Sequence, residues 1–164
     1  MTDNQSKTSI VRVVTTQISR YSNSLIKRAV DEIALKSPQM VRPAAIRKRI
    51  LVTGYPGEIG ECLAAILPLE GFDAKPIASV GPPFNEIFSE LSENKYDMVI
   101  VSYWPSWQVL LEIRQRFPKI KTIFLNSYKY KWDAIAKQHG VDAIIRVPFE
   151  YEDLLSRINK IFFA

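Results

Sequence analysis

The chain has 164 residues, 47% of them apolar and 24% charged, with one cysteine, one histidine and a formal net charge of +5. That length accommodates one compact domain plus an additional segment and excludes two enzyme-sized domains. A single cysteine excludes an internal disulfide, and with a single histidine it leaves no Cys/His metal centre and no Ser/His/Asp or Cys/His catalytic set to assemble.

No apolar run approaches the roughly 18 residues of a membrane span, and no charged n-region with an apolar core opens the chain. The reading is therefore of a soluble, cytoplasmic protein. Charge divides the chain. Residues 1–49 carry ten Lys and Arg against Asp3, Asp31 and Glu32, a balance of +7, whereas the remainder carries twelve against fourteen, a balance of −2. The basic segment suits nucleic acid, anionic lipid, an acidic protein or simply a solvated face, and its Arg and Ser content is also that of an organelle transit peptide.

Met1 to Lys7 are polar and expected to fray. From Ser9 to Lys36, Val11, Val14, Ile18, Tyr21 and Leu25 recur at steps of three and four, which predicts a helix over about 9–36 with one apolar stripe. A stripe of that kind needs a partner, and a second copy of the chain would supply one. The β-branched run "IVRVVTT" leaves a strand at Ile10 to Thr16 as the alternative. Ser37 and Pro38 end the helix, and "SPQMVRPAAIRK" reads as a linker, so the chain divides into a basic extension, 1–48, and a domain, 49–164.

From Arg49 onward, short apolar strands alternate with amphipathic helices. Strands are expected at Ile50 to Thr53, Phe72 to Ala78, Met98 to Val101, Thr122 to Leu125 and Ala143 to Arg146. Five βα units with short connections specify a parallel, doubly wound α/β sheet. "MVIV" and "TIFL" are apolar throughout, as strands covered on both faces must be. Pro76 cannot donate to a ladder, which makes the second strand an edge and fits the order 2-1-3-4-5.

The first strand runs into "ILVTGYPGEIGE", Ile50 to Glu61. In a cofactor reading, Gly54 makes the tight turn, Gly57 lets backbone approach a pyrophosphate, and Gly60 lets the helix sit close to the strand, giving an anion-accepting loop for a nucleotide or dinucleotide. "LVTG" and "GEIG" resemble the opening of an extended short-chain dehydrogenase or epimerase. The context differs from that family, because "IASVG" supplies no ribose-binding acid and none of the seven tyrosines has Lys four positions later.

The whole of the later region carries a different resemblance. "EGFDAKPIASVGPPFNEIFSELSENKYDMVIVS", "PKIKTIFLNS" and "HGVDAIIRVPFEYEDLLSRINKIF" together resemble the receiver domain of two-component response regulators, over Arg49 to Phe163. The resemblance implies a flavodoxin-like (βα)5 fold with sheet order 2-1-3-4-5. It also implies where the family's chemistry would lie. The phosphorylated Asp corresponds to Ser102, the two Mg²⁺-binding acids to Gly54 and Tyr55, and the Ser/Thr that reads the phosphoryl group to Asn126. The phosphate-pairing Lys corresponds to Val147 and the aromatic switch residue to Ile144. A hydroxyl does not replace a carboxylate nucleophile, and without hard oxygen ligands no divalent ion is expected. The expectation is a degenerate receiver that takes no phosphate, needs no cofactor or metal and is not an enzyme. Resemblance also places a cis bond at Val147–Pro148, while strand alternation sends Arg146 to the face opposite Val147.

Ligands of doubly wound sheets bind at the carboxyl ends of the strands, and all three tryptophans fall there. Trp104 and Trp107 lie in "SYWPSW" and Trp132 in "SYKYKW", joined by Tyr55, Tyr103, Tyr128 and Tyr130, with Lys129 and Lys131 between. Tyr55, Tyr103, Trp104, Tyr128, Tyr130 and Trp132 form a candidate docking rim for a protein, because such rings bury large area while keeping a polar handle. Interleaved with Lys they also suit nucleobase stacking, and as structural residues they would plug the vacated pocket. Trp107, after Pro105, reads as packing. Cys62 reads as a buried small side chain, His139 before Gly140 as a helix end, and Glu150, Glu152 and Asp153 as the acidic start of the last helix.

Overall fold

A computed structural model describes residues 47–54, 59–79, 81–102, 106–127 and 131–164. The N-terminal helix or strand and the linker fall outside these residues. So do Tyr55, Gly57, Tyr103, Trp104, Tyr128 and Tyr130.

In chain order the elements are β1 (Arg49–Gly54), α1 (Ile59–Ile66), a 3₁₀ turn (Leu67–Glu70), β2 (Asp73–Ala78), α2 (Asn85–Glu93) and β3 (Met98–Val101). They continue as α3 (Ser106–Arg116), β4 (Lys121–Ser127), α4 (Asp133–Gln138), β5 (Ala143–Val147) and α5 (Tyr151–Phe163). The five strands form one parallel sheet in the order β2-β1-β3-β4-β5. This is the flavodoxin-like architecture expected from the alternation of elements.

Alternation along each central strand splits the core in two. Ile50, Val52, Met98, Ile100, Ile123 and Leu125 face α1 and α5, meeting Cys62, Leu63, Leu154 and Ile158. Leu51, Val99, Val101 and Phe124 face the other way, onto Ile87 and Leu91 of α2, Leu110 and Ile113 of α3 and Ala136 of α4. A fully buried side chain of this size stabilises by roughly 1.5–3 kcal/mol, so both helical layers are needed to cover the sheet. Cys62 is buried in the first layer, and that burial pushes its thiol pKa up to about 12.

Two aspartates fasten the strand starts. Asp97, just before β3, accepts the Arg49 N–H at 2.9 Å and the Lys48 ammonium at 3.2 Å. Asp142, just before β5, repeats the pattern with the Thr122 N–H at 2.8 Å and Lys121 at 3.2 Å. At the end of α4, Gly140 takes φ +72°, its N–H bonding the Lys137 carbonyl at 3.0 Å, while His139 closes the helix on Ile135 at 3.1 Å. A residue with a Cβ would be strained there. The Val147–Pro148 bond is cis, as is Pro82–Pro83.

The strand boundaries differ from expectation at β1, which takes in Arg49 and Gly54, at β5, which takes in Val147, and at β2 and β4. Phe72 is not in β2; its ring is buried against Phe162, 6.1 Å between centroids, at the lead-in to the strand. β4 runs on through Asn126 and Ser127, which pair with Arg146 and Val147 of β5. Polar residues gave no strand signal, and the neighbouring strand supplies the pairing that extends the element.

Pro76 lies on the edge strand in a particular register. The Asp73 N–H donates to the Lys48 carbonyl at 2.9 Å and the Ser79 N–H to the Gly54 carbonyl at 3.0 Å, so alternate residues from 73 to 79 face β1. Ala74, Pro76 and Ala78 therefore face away from the sheet, and the proline removes the central outward donor. Pro76→Val is expected to leave stability within about 0.5 kcal/mol of the parent and to increase self-association, read as mean mass by sedimentation across a concentration series. An unchanged mass distribution would show that the proline does not guard this edge.

Candidate interaction site at the strand ends

The carboxyl ends of β1, β3, β4 and β5 bring together Gly54, Ser102, Asn126 and Val147. Gly54 and Ser102 are in direct contact. A Cβ built on Gly54 would stand 2.8 Å from Ser102 Oγ and 3.4 Å from its Cβ, so a side chain at 54 fits only if Ser102 moves. Ser102 is held by its own N–H, which donates to the Thr53 carbonyl at 3.1 Å. Its side chain is 2% exposed, and Oγ is buried with no hydrogen-bond partner. A buried hydroxyl without a partner carries a desolvation cost that its small size alone does not offset.

Gly60 is under no such pressure. A Cβ there would meet Val52 Cγ1 at 3.6 Å and the Thr53 carbonyl at 3.7 Å, ordinary contact distances. The close helix approach that a dinucleotide fingerprint requires of its third glycine is therefore not demanded by this packing.

Asn126 is 1% exposed and donates its Nδ2 to Asp133 Oδ1 at 2.6 Å, while Arg146 donates to the other oxygen, Oδ2, at 2.7 Å. One carboxylate at the start of α4 thus joins the ends of β4 and β5. Burial alone would raise the Asp133 pKa. The hydrogen bonds from Asn126 and Arg146 and the nearby positive charges outweigh it and hold the carboxyl below its usual range. Arg146 and Val147 project to opposite faces, since Ile144 packs with the α2–α3–α4 layer and Val147 with the α1–α5 layer. Trp132, half-buried, packs against the α2–α3–α4 core. Among the described residues no three His, Cys, Asp or Glu side chains come together as a metal site, and no helix is long and apolar enough to cross a membrane.

Solved structures with the same arrangement are numerous. A receiver domain protein, CheY-like, from Methanospirillum hungatei superposes with a TM-score of 0.61 at 21% identity, covering 70% of this chain and 93% of that one. The chain has the receiver-domain fold. The response regulator TrrA from Thermotoga maritima, bound to Mg²⁺ and BeF, gives 0.59 at 24% identity over 70% and 99% of the two chains. A structure of the histidine kinase ThkA in complex with TrrA gives 0.60 at 25% identity over 70% and 98%. NtrX from Brucella abortus in complex with ADP gives 0.62 at 18% identity over 70% of this chain. The chain spans about a quarter of NtrX, 26% of its length. No protein-family model and no curated protein matches the sequence.

Asp133 was not singled out by the sequence. Its partners lie 7 residues upstream and 13 downstream in separate strands, and an acid in a first helical turn is unremarkable by itself. The weak available signal was that Asn126 and Arg146, near the ends of two expected strands, are side-chain donors without an obvious acceptor.

Two sets of variants test this geometry. Ser102→Ala is expected to leave stability unchanged or raise it by up to about 1 kcal/mol, because it deletes an unpartnered hydroxyl. Gly54→Ala is expected to cost about 1–2 kcal/mol alone and clearly less in the Ser102→Ala background. Additive denaturant midpoints would mean that the Ser102 contact is not the source of the cost. Asp133→Asn is expected to destabilise by about 1 kcal/mol at neutral pH, a value discounted for the half-exposed Arg146. Since the folded pKa of Asp133 is depressed, its contribution is complete above the unfolded value near ~3.9 and is lost as pH falls through the folded pKa. Parent and variant unfolding curves should converge on acidification, and a pH-independent gap would place the effect elsewhere.

Proposed function

We propose that this domain is a phosphorylation-independent receiver-like module that works through protein contacts in signalling and catalyses no reaction. The receiver fold is that of signalling regulatory modules, and among its structural neighbours TrrA is found bound to a protein, the kinase ThkA. The observation that carries the reading is the Gly54–Ser102 contact. At the strand ends where the receiver pattern has a nucleophilic Asp and metal-binding acids, this chain has a hydroxyl packed against a glycine. No carboxylate is available there to be phosphorylated at Ser102, and neither Gly54 nor Tyr55 offers an oxygen-rich ligand set for Mg²⁺. Asn126 is engaged with Asp133, and Val147 cannot pair with a phosphoryl group.

In this reading the aromatic loops replace phosphorylation chemistry with a contact surface. Tyr55, Tyr103, Trp104, Tyr128 and Tyr130, together with the uncovered part of Trp132, form the protein-binding rim, and the basic N-terminal segment adds self-association. Incubation with acetyl phosphate and Mg²⁺ is expected to leave the intact mass and the tryptophan fluorescence unchanged. A stoichiometric phosphoryl adduct that hydroxylamine removes would overturn the reading, since only an acyl phosphate responds in that way.

A further inference from the structure

The N-terminal segment joins the domain beside an exposed aromatic end. Lys48 holds its ammonium 5.6 Å from the centre of the Phe162 ring. Phe162 stands between the buried Phe72, 6.1 Å away between centroids, and Phe163, 5.9 Å away. Phe163 is 53% exposed, the most exposed large apolar side chain among the described residues. Three rings thus lead from the core to the surface at the point where the chain arrives from residues 1–46.

The apolar surface continues from this end between α5 and α1. The side of α5 toward α1 carries Glu152, Leu155, Asn159 and Phe162 at steps of three and four, with Leu155 and Phe162 half-buried against the α1–α5 layer. Arg157 lies on the other side of the helix, toward α4. Facing that stripe, α1 and the turn after it expose Ala65 and Pro68, half-cover Leu69 and contain no lysine or arginine. The charges along this strip are Glu61, Glu70 and Glu152. An apolar strip edged by acids suits a segment that is apolar along one stripe and basic beside it.

We propose that residues 9–36 of the same chain dock on this α1–α5 surface, laying the stripe from Val11 to Leu25 over Leu69, Leu155 and the Phe162–Phe163 end. Length, tether and charge all favour that occupant. As a helix the stripe spans about 21 Å, against about 18 Å for α5. Ser37 to Arg47 supplies eleven linking residues, which reach up to about 36–40 Å from Lys48. The whole of α5 is therefore within range, and the tether sets a high effective concentration. Residues 9–36 carry five Lys and Arg against Asp31 and Glu32, a balance of +3, opposite in sign to the acids that edge the strip. The inference goes beyond the reading of the domain as a protein-interaction module, since it assigns the segment a seat on its own domain. A stripe held in this way meets a second copy only when released.

The test uses the full chain, isotope-labelled for amide resonances, with a nitroxide attached at Ser24→Cys, a position off the stripe. Cys62 is buried, with its thiol pKa pushed up to about 12, and stays unlabelled. Amide signals over 61–70 and 152–163 are expected to weaken, and those over 85–93 and 106–116, on the opposite layer, to keep their intensity. Two variants, each with its fold checked by circular dichroism, should restore the full signal: Val14→Asp/Ile18→Asp in the segment and Ala65→Arg/Phe163→Ser on the domain. Weakening in a mixture of nitroxide-bearing unlabelled chain with isotope-labelled chain free of nitroxide would seat the segment on a second copy and overturn the proposal. So would weakening centred on 85–93 or 106–116, no weakening at all, or weakening that survives either variant. No phosphoryl donor takes part, so failure here is separate from failure of the phosphorylation-independent reading, which the acetyl phosphate experiment decides.

Discussion

Burial of β1, β3 and β4 on both faces is the constraint from which the rest of this domain follows. Their side chains alternate between two apolar layers, so helices must lie on each side of the sheet, and parallel strands then require every connection to cross over. Crossovers collect the strand-to-helix loops at one end. Whatever the domain does with a partner, the residues free to vary without unpacking the core are concentrated there and along the two sheet edges.

At the strand ends Ser102 lies beside Gly54, and Asn126 and Arg146 close on Asp133. In the first contact, a side chain at 54 fits only if the Ser102 hydroxyl moves, and the second ties the start of α4 to the ends of β4 and β5. The two edges differ, with a proline at the middle of β2 and a cleft beside β5 that Lys137 and Arg157 help to line.

Much of the fold was legible because it depends on local pattern. The runs "MVIV" and "TIFL" announced strands buried on both faces, and each lies in the centre of the sheet. Pro76 announced an edge, and the hydrogen-bond register explains why that edge tolerates it. Cys62 was expected to be a buried small residue and is 1% exposed. The ends of β4 were not legible, because Asn126 and Ser127 have no intrinsic preference for a strand and acquire one by pairing with β5.

By itself, therefore, the sequence determined the alternation of strands and helices, the sheet order and the placing of Gly54 and Ser102 at strand ends, since each is written in residue type and spacing. Only the tertiary structure decided what those residues meet. Gly54 and Ser102 are 48 positions apart, and Asp133 meets donors from two different strands, so neither contact exists until the sheet assembles. The same holds for the cleft at β5, whose cations on α4 and α5 lie 20 positions apart in sequence and flank one strand only after both helices have packed. Periodicity reports which way one element faces; the distance between groups on different elements is set by the packing of the whole core.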